Sequence, residues 1–196
     1  MGKISVKMPR PSIYPVPTLL LTCRDSNQTN IITISWAGIL CSSPPIISIS
    51  VQPQRHSYGL LKEYGKFTIN IPSVDILLET DYCGNICGKD VNKQAECRFN
   101  LVELVESYPM AIKECKHHLL CEVIEVKEWG GTHTTFIAEV KHEYVDEDCY
   151  LGDNDYIYNA IKPIAYCRKN YYQLADAPIG YYGYSQRKDY GENGQR

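Results

Sequence analysis

The 196 residues predict a mainly β architecture, an antiparallel barrel with small helices attached. Three observations point there. Short β-like runs recur along the chain, several with apolar residues at a period of two, and polar or Gly/Pro clusters separate them. The crossover helices of about ten or more residues that a parallel sheet requires are missing between most of these runs.

The elements follow in order. TLLLTC, Thr18 to Cys23, is a strand ended by the polar cluster Arg24-Asp25-Ser26-Asn27. Asn30 to Leu40 reads as one strand with two different faces, Ile32, Ile34 and Trp36 on one and Ile31, Thr33 and Ser35 on the other. Pro44-Pro45 interrupts it, and Ile46 to Val51 is the next strand. Ser57 is placed to cap a helix over Tyr58 to Tyr64, which Gly65 ends. KFTINIP from Lys66 returns to strand, Val74 to Thr80 makes a helical turn, and Asp81 to Lys93 reads as loop. Downstream, His118 to Trp129 and Thr132 to Glu147 form a hairpin, with Gly130-Gly131 supplying the positive φ of a tight turn. Lys162 to Cys167 is the last strand. The length suits a single domain over 1–185, with 186–196 expected to be a disordered tail.

Composition excludes several classes. A net charge of −3 gives no basic excess, so nucleic acid is not an expected partner. No run approaches the roughly 18 apolar residues of a membrane span, and MGKISVKMPRPSIYP lacks the apolar core of a signal peptide. A cytoplasmic protein is expected. Nine cysteines, odd in number and irregular in spacing, read as reduced thiols rather than a disulfide framework. No metal site is expected: Cys115 and Cys121 would lie about 20 Å apart on an extended strand, and Cys83 and Cys87 read as two unpaired loop thiols, with a redox pair as the less favoured alternative. His117 and His118 are expected to be exposed strand residues. The tyrosines at 171, 172, 181, 182 and 184 suit a dimer-interface patch.

P-loop, dinucleotide and nucleophile-elbow motifs are absent. What remains is a polar set threaded through apolar strands. Thr33 and Ser35, then Ser48 and Ser50, need partners that are either cross-strand neighbours or a ligand. Arg55-His56-Ser57, at a helix start, suits a phosphate group, with an ordinary Ser cap and a solvated Arg as the plainer alternative.

These residues also carry a family resemblance. NIITISWAGILCSSPPIISISV from Asn30, RHSYGLL from Arg55, KFTINIP from Lys66, DYCGNICGKDVNK from Asp81 and KPIAYCRKNYYQLADAPIGYYGYS from Lys162 together resemble the flavin reductase-like family, its flavoredoxin branch in particular. The likeness spans about Tyr14 to Ser185. Cys87 stands where many relatives have Ser, and Gln94 where a Phe commonly follows the lysine.

The resemblance implies an FMN-binding split β-barrel of Greek-key type, working as a homodimer with FMN near the subunit interface. It implies that Thr33, Ser35, Trp36 and Ala37 run along the ring and ribityl chain. Ser50, Val51, Arg55, His56 and Ser57 would hold the flavin and its phosphate. From the loop after Tyr82, Cys83, Lys89 and Lys93 would border the flavin, the lysines as donors near its N1 and C2-carbonyl edge. FMN would then carry the redox chemistry, with no catalytic side chain required and the protein setting position and potential. The implied function is a flavoredoxin-like electron carrier served by a redox partner protein; the alternative is an NAD(P)H:flavin oxidoreductase or ferric-chelate reductase.

Overall fold

The computed structural model describes residues 2–25, 28–152, 155–175 and 177–186. Expectations for 186–196 therefore fall outside the described residues, apart from the backbone of Gln186. The strands are β1 (Val16–Pro17), β2 (Leu19–Arg24), β3 (Thr29–Ile34), β4 (Ala37–Ser42), β5 (Pro45–Val51) and β6 (Lys66–Asn70), then β7 (Leu101–Val102), β8 (Ala111–Ile112), β9 (His117–Glu128) and β10 (Thr134–Val145). After them come β11 (Tyr150–Gly152), β12 (Asp155–Tyr156), β13 (Ile164–Cys167) and β14 (Asn170–Gln173). The helices are α1 (His56–Tyr64), α2 (Leu77–Asn85), α3 (Lys93–Glu96) and α4 (Tyr158–Ile161). No helix among the described residues is long and apolar enough to cross a membrane.

Seven strands pair antiparallel in the order β3-β2-β6-β9-β10-β5-β4. The two edge strands, β3 and β4, are separated in the chain by Ser35 and Trp36 alone. In a flat sheet those edges would stand about 29 Å apart, six spacings of about 4.8 Å, whereas the short link reaches about 11 Å. The sheet therefore has to curl until its edges meet. A hydrogen bond from the Ser50 amide to the Trp36 carbonyl, 2.8 Å, carries the β4–β5 ladder one rung into the link. The single strand expected over Asn30–Leu40 is thus two, bent at Ser35-Trp36 so that one stretch of chain borders both edges.

The barrel interior is filled by Leu21, Ile32, Ile49, Phe67, Ile69 and Phe136, all buried. The adjacent residues Leu20 and Ile31 point the other way, into a second cluster with Cys83, Phe99, Ile112 and Cys115 under α2 and α3. Burial on both faces accounts for the unbroken apolar run of β2, where a half-exposed strand would alternate.

Several local expectations are corrected. Asp81–Asn85 is the second half of α2, so the loop begins only at Ile86. Helix α1 starts at His56 with Arg55 as N-cap, and Ser57 lies inside it, its hydroxyl accepting from Asn30 instead of capping. Gly65 at φ +65° ends α1, as expected. The β9–β10 turn is not a two-glycine turn but spans residues 129–133, with Gly130 at φ +71°. His117 and His118 are buried: His117 Nε2 lies 2.8 Å from Glu143, and His118 Nδ1 2.9 Å from Asn70 Oδ1. A further hairpin, β13–β14, turns on Arg168 and Lys169, both at positive φ. The sequence gives no Gly or Asn there to announce it.

Candidate functional site

A two-lobed cleft lies where the bent β3–β4 link, the end of β5, the start of α1 and the residues around α2 converge. The larger lobe encloses about 700 Å³. From the barrel it takes Thr33, Ser35, Trp36, Ser50 and Val51. Its aromatic walls come from Trp36 stacked on His133 (4.1 Å between centroids, 30° between planes) and from Tyr166 and Tyr171 of the β13–β14 hairpin. Tyr171 donates to Asp81 at 2.8 Å, fastening that hairpin to α2. Helix α2 presses close on β3: Thr33 Oγ1 donates to the Thr80 carbonyl, and a Cβ on Gly84 would come within 3.2 Å of Thr33 Cβ.

The polar strand residues are partly satisfied by the protein. Ser50 Oγ pairs with Thr135 Oγ1 across the β5–β10 register at 2.9 Å, and Ser48 Oγ donates to the Gly38 carbonyl at 3.4 Å. Cross-strand bonding therefore explains the Ser48/Ser50 pair. Ser35 makes no side-chain hydrogen bond among the described residues.

The smaller lobe, about 300 Å³, shares Ile32, Gln52 and Arg55 with the larger and adds Asn30, His56, Ser57, Cys87, Gly88 and Lys93. Asn30 Nδ2 donates to Ser57 Oγ at 2.7 Å, His56 Nε2 meets Asp25 at 2.9 Å, and Arg55 Nη1 donates to the Gly84 carbonyl at 3.2 Å. No side chain caps the start of α1, which opens here. Lys93 is 5% exposed, and its ammonium donates to the carbonyls of Ile31 (2.8 Å) and Cys83 (2.7 Å). Among the described residues no carboxylate pairs with it. Burial holds its pKa below the ordinary lysine value, the nearby thiols partly opposing that shift. Gly88 backs directly onto Asn30, and a Cβ there would fall 1.9 Å from Asn30 Oδ1. In the larger lobe, burial and then the Arg55 charge lower the His133 pKa, which keeps that imidazole neutral.

Of the residues singled out in the sequence, Thr33, Ser35, Trp36, Ser50, Val51 and Arg55 meet in the larger lobe. Arg55, His56, Ser57 and Lys93 meet in the smaller. Three stand elsewhere. Ala37 packs against the barrel core, Cys83 is buried in the second core, and Lys89 edges a separate shallow depression beside Pro53 and Glu63. Asn30, Gly88, His133 and Tyr166 also line the cleft and went unmarked, and Tyr171, expected in a dimer-interface patch, lines the larger lobe and bonds Asp81. A buried Asn at a strand start was the readable signal for Asn30; the others depend on tertiary approach.

The model of the flavin reductase like domain matches residues 10–175. The chain belongs to the flavin reductase-like family. Its fold is the flavin-binding split barrel of that family. The structure is similar to flavoredoxin of Desulfovibrio vulgaris (28% identity, TM-score 0.84, covering 94% of this chain and 100% of that one). It is also similar to flavoredoxin from Methanosarcina acetivorans (25%, TM-score 0.81, with the same coverage of 94% and 100%). In sequence it is similar to an uncharacterised protein of Archaeoglobus fulgidus, 30% identical over 130 residues, 66% of this chain and 72% of that protein.

Proposed function

We propose that the cleft binds FMN, the monophosphate in the smaller lobe and the flat ring system in the larger, and that the protein is a homodimeric, flavoredoxin-like electron carrier of the cytoplasm. The observation that carries this reading is the buried Lys93 ammonium. A buried cation held only by neutral carbonyls is costly, and an arriving anion relieves that cost. Arg55, the uncapped start of α1 and the Asn30–Ser57 pair converge on the same small space, a donor set that fits a phosphate dianion. The loop at Gly88, with no room for a side chain, lets backbone close around it.

The larger lobe fits the other end of the molecule. Trp36, His133, Tyr166 and Tyr171 offer aromatic walls to a planar ring. FMN bound there supplies the reversible electron chemistry. The chain's own residues position it: Ser35 keeps hydrogen-bonding capacity for a ligand, and neutral His133 adds no charge beside the ring. Homodimer formation is supported by edge strand β4, where Ile39 and Leu40, 83% and 55% exposed, follow closely on Trp36 at the cleft.

One observation favours the second reading, an NAD(P)H:flavin oxidoreductase or ferric-chelate reductase. The larger lobe is roomy and carries cationic Lys169 on its rim, suited to a second, anionic reactant. The visible spectrum of the purified protein, recorded anaerobically before and after NADH or NADPH, separates the two. Flavin bands that persist with both nucleotides and bleach with dithionite are expected of the carrier; prompt bleaching by a nucleotide identifies a reductase. A colourless protein that takes up no added FMN overturns both.

A further inference from the structure

Nine free thiols are spread through the fold, and one pair of them is in contact. Cys83 Sγ, on α2, lies 3.8 Å from Cys97 Sγ, at the C-terminal end of α3. No other two thiols stand within such a distance among the described residues. The two differ in access: Cys83 is fully buried, whereas Cys97 is half-buried and reachable from solvent. Between them in the chain run the smaller lobe's Cys87, Gly88 and Lys93, and the Lys93 ammonium donates to the Cys83 carbonyl at 2.7 Å. Burial, the largest influence, raises the pKa of both thiols above the ordinary cysteine value; the Lys93 charge opposes that rise in each, and at Cys97 the contact with Cys83 opposes it as well.

We propose that Cys83 and Cys97 are a dithiol modification site that closes to a reversible disulfide by exchange with a low-molecular-weight disulfide. Cys97 enters the reaction and Cys83 resolves it. The Cys97 thiolate attacks one sulfur of the small disulfide, forming a mixed disulfide and expelling one small thiolate. Cys83 then loses its proton and attacks the Cys97 sulfur, breaking the mixed disulfide and expelling the second. Two electrons pass from the protein to the small disulfide, and the two protons end on the two small thiols released. Closing requires the sulfurs to move from 3.8 Å to about 2.0 Å. The product ties α2 to the end of α3 around the segment that carries Lys93.

The test is incubation of the intact, reduced protein with glutathione disulfide, followed by thiol counting, intact mass and peptide mapping. The expected result is a fall from nine free thiols to seven, a mass lower by two hydrogens, and a Cys83–Cys97 linked peptide that dithiothreitol removes. Cys97→Ser, at the half-buried position, should keep its circular dichroism and form no linkage. Cys83→Ser should accumulate a mixed disulfide on Cys97. Should Cys83→Ser fail to fold, the wild-type map and Cys97→Ser still decide. An unchanged thiol count, a mixed disulfide that persists on wild-type Cys97, or a link from Cys83 to Cys87 would overturn the proposal.

Discussion

A buried imidazole stays neutral unless a charge compensates it, and His118 has none. It sits 5% exposed with Nδ1 against Asn70, whose Oδ1 also accepts from the Ile112 amide at 2.8 Å. Burial, then the neighbouring His117, pull its pKa from 6.5 down to about 4. Between those values the unfolded chain binds a proton that the folded chain refuses, so stability rises with pH across that window. His118 costs nothing above about pH 6.5 and takes away on the order of 3 kcal/mol by about pH 4. Thermal melts from pH 7 to pH 4 should fall steeply in the wild type and less steeply in His118→Asn, whatever that variant loses at neutral pH. Parallel slopes would place the acid sensitivity elsewhere. Lys93 is the opposite case, a buried charge with no carboxylate partner. The resemblance implies a place for it near the ring edge; under the placement proposed above, its ammonium, which borders the smaller lobe with Arg55 and Ser57, serves the phosphate end. Its substitution should therefore act on affinity for the phosphate end more than on the flavin potential.

Among the elements, the bent β3–β4 link and the 86–88 loop shape the cleft. The bend closes the barrel and turns Trp36 outward into the larger lobe, where His133 from the β9–β10 turn stacks on it. The loop sets the smaller lobe. In Gly88→Ala the new methyl would displace the Asn30 amide and break its 2.7 Å bond to Ser57. A loss of about 1–3 kcal/mol is expected, as for overpacking elsewhere. It would be read as a lowered melting temperature together with weaker FMN binding, whereas Gly59→Ala, inside α1 with open space around it, should leave FMN binding unchanged and raise the melting temperature slightly. The regular strands were legible because period and turn chemistry are local. Less legible were features set by distant contacts: the Ser35-Trp36 bend, which follows from barrel closure, and the Arg168-Lys169 turn, which lacks its usual residues. The helical state of Asp81–Asn85 was hidden as well, since Gly84 and Asn85 read as loop until α2 is packed on β3.

For the whole molecule, sequence pattern supplied the fold class and most of the barrel half of the cleft. Thr33, Ser35, Ser50 and Arg55 stand on elements whose order is plain in the chain. The opposite wall, Tyr166, Tyr171 and His133, comes from segments more than 70 residues further along, and nothing local marks those side chains as facing the barrel seam. The same scale decides assembly. Edge strand β4 exposes Ile39 and Leu40 beside the cleft, so Ile39→Lys with Leu40→Lys should convert the proposed dimer to a monomer in sedimentation velocity and weaken flavin retention with it. A double variant that sediments like the wild type would remove β4 from the interface.

The most direct test of the two-lobed cleft is calorimetric titration of the apoprotein and of Lys93→Gln with FMN and with riboflavin, which shares the ring and lacks the phosphate. The wild type should bind FMN far more tightly than riboflavin. Lys93→Gln should lose roughly 10- to 100-fold toward FMN, the worth of a charge-assisted contact, and little toward riboflavin. Equal wild-type affinity for the two, or an unchanged FMN affinity in Lys93→Gln, would contradict a phosphate seated in the smaller lobe.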